Sequence, residues 1–301
     1  MAKNKKEIEI EQNKPDNQIQ QRSDILAVGP YVGEFGWLCF TWQPLIRSIF
    51  YKNNYKRCIV FGSKGYDALW NFAEYREIDV PKHESQCLLW DKFDGGLQKE
   101  LNELGASCFE ILKKEGLSFN TFWYNSLKIF NNRMLTEGCA DRLIFTDKGM
   151  KFNKTDVPTI TLCLRDRELA EHRNWYFEYW NELTRILCDM NYNVVTIGLV
   201  KNKTFKPDKS VKNFVNSTSI NDCINILCNS DLAVGGSSGT MHLASRCGTD
   251  HIVWGNKQNE EVYNQTNWFG AYCKIIKEGW KPDVDVVVKH IVDYFQNRCT
   301  K

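Results

Sequence analysis

Two short stretches place chemistry-bearing residues directly behind apolar strands. In the first, Ile25–Val28 (ILAV) runs into GPYVGEFG, and Glu34 stands between Gly33 and Gly36, with Trp37 following. In the second, DLAV leads into GGSSGTMHLA, which sets Ser237, Ser238, Gly239, Thr240 and His242 at the start of a helical pattern. Glycine lets backbone approach a ligand closely, and the free amides of a helix N-terminus favour an anion. The first turn offers a carboxylate, which repels phosphate. The second offers hydroxyls and amides and no acid, so a diphosphate belongs there. An acid on one side and an anion site on the other suit group transfer from a phosphorylated donor.

Each turn also has a structural reading. The second lacks the Gly-Lys-Ser/Thr ending of a P-loop, which speaks against ATP hydrolysis, and it could serve only as a tight crossover needing small residues. His242 either packs in the core or caps the helix, or it contacts phosphate or donor sugar; no second histidine stands at helical spacing to share a metal with it. Glu34 is either a helix-capping acid or a general base that takes the proton of a hydroxyl nucleophile. The spacing Gly29, Gly33, Gly36 is not the dinucleotide fingerprint, and the next strand ends in FGSK without an acid for ribose.

A third cluster follows the strand Thr159–Leu164. The loop RDRELAEHRNW carries Arg165, Arg167, His172 and Arg173 at the carboxyl end of a strand, where open α/β sheets bind ligands. Guanidinium forks match phosphate oxygens. Asp166, Glu168 and Glu171 offer the same arginines protein partners, and Asn174 is placed to cap a helix from Trp175.

These residues need a frame, and the hydrophobic pattern supplies one. Residues 1–23 are polar and charged and read as a flexible leader. From Asp24 the pattern predicts a strand at 25–28, a helix at 37–50 bent or started by Pro44, a strand at 57–62, a helix at 66–74, strands near 77–80 and 87–90, a helix at 97–115 broken at Gly105, and a strand at 142–146. Residues 146–158 are polar and end in proline, a linker pattern. Alternation restarts with strands at 159–164, 193–200, 232–234 and 251–254 and helices at 175–190, 220–228, 239–247 and 283–296. Strands alternating with helices imply mostly parallel sheets in two α/β domains, 24–150 and 151–301.

At the stretches GEFG, LRDR, HRNW and SGTMHLA the chain resembles the two-domain GT-B glycosyltransferases, in particular the heptosyltransferase-like group and related viral and bacterial glycosyltransferases. The likeness spans most of residues 25–296 through short motifs. It implies two Rossmann-like domains, with a C-terminal helix returning toward the first. It implies a nucleotide-diphosphate sugar as donor, held by the second domain through Arg165, Arg167, Arg173, Ser237, Ser238, Gly239, Thr240 and His242. An oligosaccharide or glycoconjugate acceptor would lie against the first domain near Gly33, Gly36 and Trp37, with Glu34 as the catalytic base of an inverting transfer. It implies a metal-independent enzyme with no cofactor. The loop after Trp254 would close over the nucleoside, with Glu260 or Glu261 receiving ribose and Trp254 or Tyr263 stacking on base or sugar; alternatively it is a solvated polar loop. A nucleotide-sugar epimerase of the same fold, or a non-catalytic nucleotide- or sugar-binding module, are the competing readings.

Composition limits the rest. The chain has 301 residues, 43% hydrophobic and 25% charged, with a net charge of +2, which gives no basic surplus for a nucleic-acid partner. The 12 cysteines are scattered without a CxxC, as expected of reduced thiols rather than disulfides or zinc ligands. No run reaches the ~18 apolar residues of a membrane span, and the N-terminus has no signal-peptide core, so a cytoplasmic protein is expected.

Overall fold

The computed structural model describes residues 23–31, 33–80, 95–122, 140–168 and 170–299, without the side chains of 95–101 and 299. The expected leader, the expected strand at 87–90, and Cys87 and Cys139 lie outside these residues. Two parallel sheets form the frame. The first contains β1 (Ile25–Val28), β2 (Arg57–Ser63), β3 (Glu74–Ile78) and β4 (Asn120–Phe122) in the order β3-β2-β1-β4. The second contains β5 (Thr159–Arg165), β6 (Asn193–Leu199), β7 (Lys212–Asn213), β8 (Leu232–Gly236), β9 (His251–Trp254) and β10 (Cys273–Ile276), in the order β10-β9-β8-β5-β6-β7. All pairings are parallel. β5 and β8 are buried along their whole length, as parallel strands covered on both faces must be.

The strand order reverses at β1/β4 in one sheet and at β5/β8 in the other. Loops leaving the carboxyl ends of strands at such a switch point diverge and open a crevice. The Glu34 turn leaves β1, the arginine loop leaves β5, and the serine–glycine turn leaves β8. Topology alone therefore brings all three sequence clusters to ligand-binding positions.

Several elements depart from the sequence expectation. Residues 66–74 form only a single 3-10 turn, Asp67–Leu69, before β3 begins at Glu74. Leu69 and Trp70 bury at once, and the polar stretch EYREI is left to pair at the sheet edge. The helix α3 (Gly95–Lys114) continues through Gly105. Residues 142–146 form no strand. They form no regular element and are fixed to the second domain by Leu143 N–H to Arg246 O (2.9 Å), Thr146 N–H to Asn225 Oδ1 (2.8 Å) and Arg142 Nε to Cys247 O (3.0 Å). Side-chain and carbonyl groups here replace a strand ladder. The stretch after Trp254 is a helix, α7 (Lys257–Thr266), started by a reciprocal cap between Asn256 and Asn259.

The remaining helices are α4 (Phe177–Asp189), α5 (Ile220–Cys228), α6 (Gly239–Cys247) and α8 (Val284–Cys299). Among the described residues, the core contacts of the closing helix α8 lie in the second domain, not in the first as expected. Val284, Val287, Ile291 and Tyr294 join Leu183 and Leu187 of α4 and Leu232 and Ile252 in one core, and Tyr294 Oη donates to Asp250 Oδ2 (2.6 Å), with Asp231 O as an alternative acceptor at 2.9 Å. A second core is continuous between the domains, joining Leu38, Cys39, Trp42 and Ile46 to Met241, Leu243, Ala244 and Cys247. Every cysteine whose side chain is described is a free thiol.

Pro44 marks the start of a regular helix, one of the two roles expected of it, and the winding before it was not anticipated. α1 (Phe35–Trp37) passes into a π-helical turn, Leu38–Trp42, and then into α2 (Gln43–Lys52), with Pro44 in the first turn of α2. Proline lacks the amide that an uninterrupted helix needs and crowds the preceding turn. Widening by one residue accommodates it without breaking the rod.

Candidate functional site

The helices that follow the two glycine turns pack side by side, with their N-termini in contact. A Cβ on Gly36 would lie 3.2 Å from His242 Cδ2 and 3.6 Å from Gly239 Cα, and one on Gly239 would lie 2.8 Å from Phe35 Cδ1. The crowding at each glycine thus comes from the other domain's turn, not from a positive φ of its own. Above this contact opens a cavity of about 350 Å³, within the usual range of small-molecule sites (~300–1,000 Å³). The first domain contributes Glu34, Gly36, Trp37 and Phe40; the second contributes Arg173, Ser237, Ser238, Gly239, His242, Gln258, Asn259 and Val262. Glu34 is the one carboxylate among these lining residues and Arg173 the one guanidinium.

Glu34 occupies the N-cap position of α1, yet its side chain makes no capping bond. It reaches instead across the crevice to Arg167 Nη1, at 3.4 Å. Its backbone is fixed locally, because Tyr31 Oη donates to Glu34 O at 3.0 Å.

The arginine loop is organised from within. Asn174 does not cap a helix; Tyr176 precedes α4 in that position. The Asn174 amide brackets the loop, accepting from Arg165 Nη1 and from Arg167 N–H (3.2 Å) and donating to Arg167 O (2.9 Å). Arg165 is buried and also donates to Ala170 O at 3.2 Å, so its guanidinium faces its own loop and not the cavity. Ala170 is held left-handed (φ 55°), a conformation that costs a side-chain-bearing residue about 1–2 kcal/mol. Two of the intervening acids serve the neighbouring loop. Asp166 accepts from the amides of Lys201 and Asn202 (2.7 and 2.8 Å), and Glu168 pairs with Lys201 at 3.0 Å. Arg173 is the arginine that lines the cavity, donating to Ser237 O at 2.7 Å with its guanidinium 4.5 Å from the Trp280 ring centroid.

His242 lies between Phe40 of the first domain and Tyr263 of the second, with ring centroids 4.4 and 4.5 Å away. Burial pushes its pKa down to about 3, helped by nearby His251 and Arg173, so the ring is neutral at physiological pH. Its Nδ1 and Ser238 Oγ are buried polar atoms without a partner among the described residues. Both border the N-terminus of α6, whose first amides have no helical acceptor.

Several expected contacts fall elsewhere. Gly33 and Thr240 do not line the cavity. Glu261 is exposed on α7, and Glu260 pairs with Lys277 at 2.9 Å. Trp254 and Tyr263 are fully buried, Trp254 against Trp175 and Trp180 and Tyr263 against His242, so neither offers a face for stacking a base. Sequence reading missed Gln258, Asn259 and Val262. Their signal was the Asn-x-x-Asn cap, which turns a polar stretch into a helix presenting one row to the crevice. No group of three or more His, Cys, Asp or Glu residues suited to a metal ion occurs among the described residues, and no helix there is long and apolar enough to cross a membrane.

With this geometry in view, residues 137–262 match the family model for glycosyltransferase family 9 (heptosyltransferase). No curated protein matches the chain by sequence. Solved structures do match in fold. E. coli ADP-heptose LPS heptosyltransferase II superposes with a TM-score of 0.57 at 14% identity, covering 91% of this chain and 99% of that one. A family 9 glycosyltransferase from Veillonella parvula gives 0.53 at 10% identity over 90% and 89%. The E. coli heptosyltransferase WaaC with ADP gives 0.52 at 11% identity over 89% and 99%. The chain has the GT-B fold and resembles bacterial heptosyltransferases.

Proposed function

We propose that the protein transfers a sugar from a nucleotide-diphosphate sugar to a hydroxyl group of a glycan or glycoconjugate, with inversion at the anomeric carbon. One observation carries this reading: a lone carboxylate from one domain and an arginine-flanked helix N-terminus from the other border the same cavity. The diphosphate lies at the start of α6, against Arg173 and the amides and hydroxyls of Ser237–Gly239. Arg167 meets its outer oxygens. The acceptor lies beside Trp37 and Phe40. Glu34 takes the acceptor's hydroxyl proton, the acceptor oxygen forms its bond to the anomeric carbon, and the bond from that carbon to the diphosphate oxygen breaks. The electron pair departs with the nucleotide, where fixed donors stabilise it. His242, neutral at working pH, acts as a hydrogen-bonding group and carries no charge to the donor.

Charge on the leaving group is met by arginine and helix amides, so turnover should survive chelation of divalent metal. The test is product formation with UDP-, GDP-, ADP-, CMP- and dTDP-sugars, preceded by a thermal-shift screen and repeated with EDTA. An inverted glycoside formed in the presence of EDTA supports the reading. An epimerised donor with no glycoside would instead favour an epimerase, which needs several acid or base groups where this cavity has one carboxylate. Tight nucleotide binding with no chemistry would mark a binding module.

A further inference from the structure

The strongest feature outside the cavity is a charge buried at the domain junction. Arg246, on the last turn of α6, is 1% exposed. Its Nη1 donates to Cys39 O (2.7 Å) and Gln43 Oε1 (3.0 Å) in the first domain, and its Nη2 donates to Asp141 O (2.8 Å). None of these acceptors is charged. The carboxylate of Asp141 is taken by Arg47, at 2.6 Å. Burial lowers the Arg246 pKa to about 10, which leaves it protonated at neutral pH. A guanidinium withdrawn from water without a carboxylate is costly, and oxygens at defined positions must hold it.

Its main acceptor exists because of the π turn. Gln43 N–H bonds Leu38 O five residues back, so the next carbonyl in that pattern, Cys39 O, would look to Pro44, which has no N–H. Arg246 fills that vacancy from the other domain. The segment it grips directly follows Glu34, Gly36 and Trp37. Arg246 itself lies one helical turn beyond His242 on the same face of α6.

We infer that Arg246 is a positioning residue that sets the distance between the base-bearing turn and the anion-binding helix. It touches neither substrate. It holds the Gly36–Gly239 contact closed, so that Glu34 stays within reach of a reaction at the α6 N-terminus. The inference rests on the glycosyl-transfer reading for its catalytic consequence and on the junction geometry for the rest.

The test uses the full chain in three forms: wild type, Arg246→Lys and the milder Gln43→Leu, which removes one acceptor and also the Gln43 Nε2 bond to Leu69 O (2.8 Å). Hydrogen exchange followed by mass spectrometry reads peptides covering 35–43, 141–146 and 239–246 against the β5, β6 and β8 peptides. ADP, UDP and GDP are the probes for nucleotide affinity. The expected result is exchange at least tenfold faster in the junction peptides and less than twofold changed in the strands. Affinity for the best of the three probes should stay within twofold and kcat should fall at least tenfold. Such a split between binding and turnover is not produced by general loss of stability. Exchange unchanged at the junction, or raised equally everywhere, in both variants would overturn the inference. So would a loosened junction with wild-type kcat. Should the wild-type protein transfer no sugar from any donor, the transfer reading fails, and the positioning claim fails with it even where the exchange data establish the junction contact.

Discussion

The two glycine turns occupy equivalent places at the ends of β1 and β8, but their polar groups face opposite ways. In the first, the backbone is locked and the functional group is free of the helix it precedes: Glu34 makes no cap and reaches over the crevice to Arg167. In the second, the hydroxyls, amides and neutral imidazole are drawn inward, with His242 pressed between rings of both domains. A reactive base gains from exposure to the incoming proton, whereas an anion site gains from pre-set, desolvated donors. The contrast teaches that one topological device, a strand running into a helix, becomes a reagent or a receptor according to the side chain set at the turn.

Glu34→Gln should break the contrast most sharply. Loss of a general base typically costs ~100- to 10,000-fold in rate. Nucleotide affinity, measured separately by calorimetry, should hold, and near wild-type turnover would remove Glu34 as base. On the receptor side, Arg173→Ala removes a charge-assisted contact worth about 1.5–3 kcal/mol, or roughly ten- to hundredfold in nucleotide affinity. Calorimetry finding unchanged affinity would move the diphosphate elsewhere.

The contact between the turns can be probed through stability, at a residue that also lines the cavity. Gly239→Ala places a methyl 2.8 Å from Phe35 Cδ1, so the Phe35 ring beside Glu34 must move. A cost of about 1–3 kcal/mol is expected, read as a lowered Tm. A further effect appears only in acid. His242 is held neutral in the fold with a pKa near 3, while the unfolded chain protonates it near 6.5. The unfolded state therefore binds the extra proton between those values, and stability falls as pH drops through that window. His251, also lowered by burial, acts in the same direction. His242→Phe should flatten the decline below pH 6, and an unaltered slope in urea titrations would show that the imidazole is solvated.

Much of this frame was legible because parallel strands write themselves as short apolar runs. Ile25–Val28, Thr159–Leu164 and His251–Trp254 were found within a residue or so of their observed limits. The edge strand β3 was expected near 77–80 rather than at Glu74–Ile78, because EYREI buries little and its neighbours Leu69 and Trp70 mimic helical spacing. The α7 helix was missed because Asn256 and Asn259 start it by hydrogen bonding, which hydropathy does not register. At the site, residue types pointed to the right loops but did not rank the arginines. Arg165 and Arg173 are eight positions apart on one loop, and only the folded loop turns one inward to Ala170 and the other to the cavity. Arg246 left a fainter trace: a basic residue four positions after His242 in an otherwise apolar and small-residue helix.

The π turn at Leu38–Trp42 amounts to one residue more than a regular helix would hold. A widened turn absorbs that residue locally, so the segments on either side keep the faces they would show in a regular helix. A chain shortened by one residue there could wind uniformly and still bring Trp37 to the crevice, whereas the same loss inside α2 would rotate all that precedes it by about 100°. The π turn is thus a small store of length beside the cleft, and a single-residue deletion is expected to cost less there than within α2.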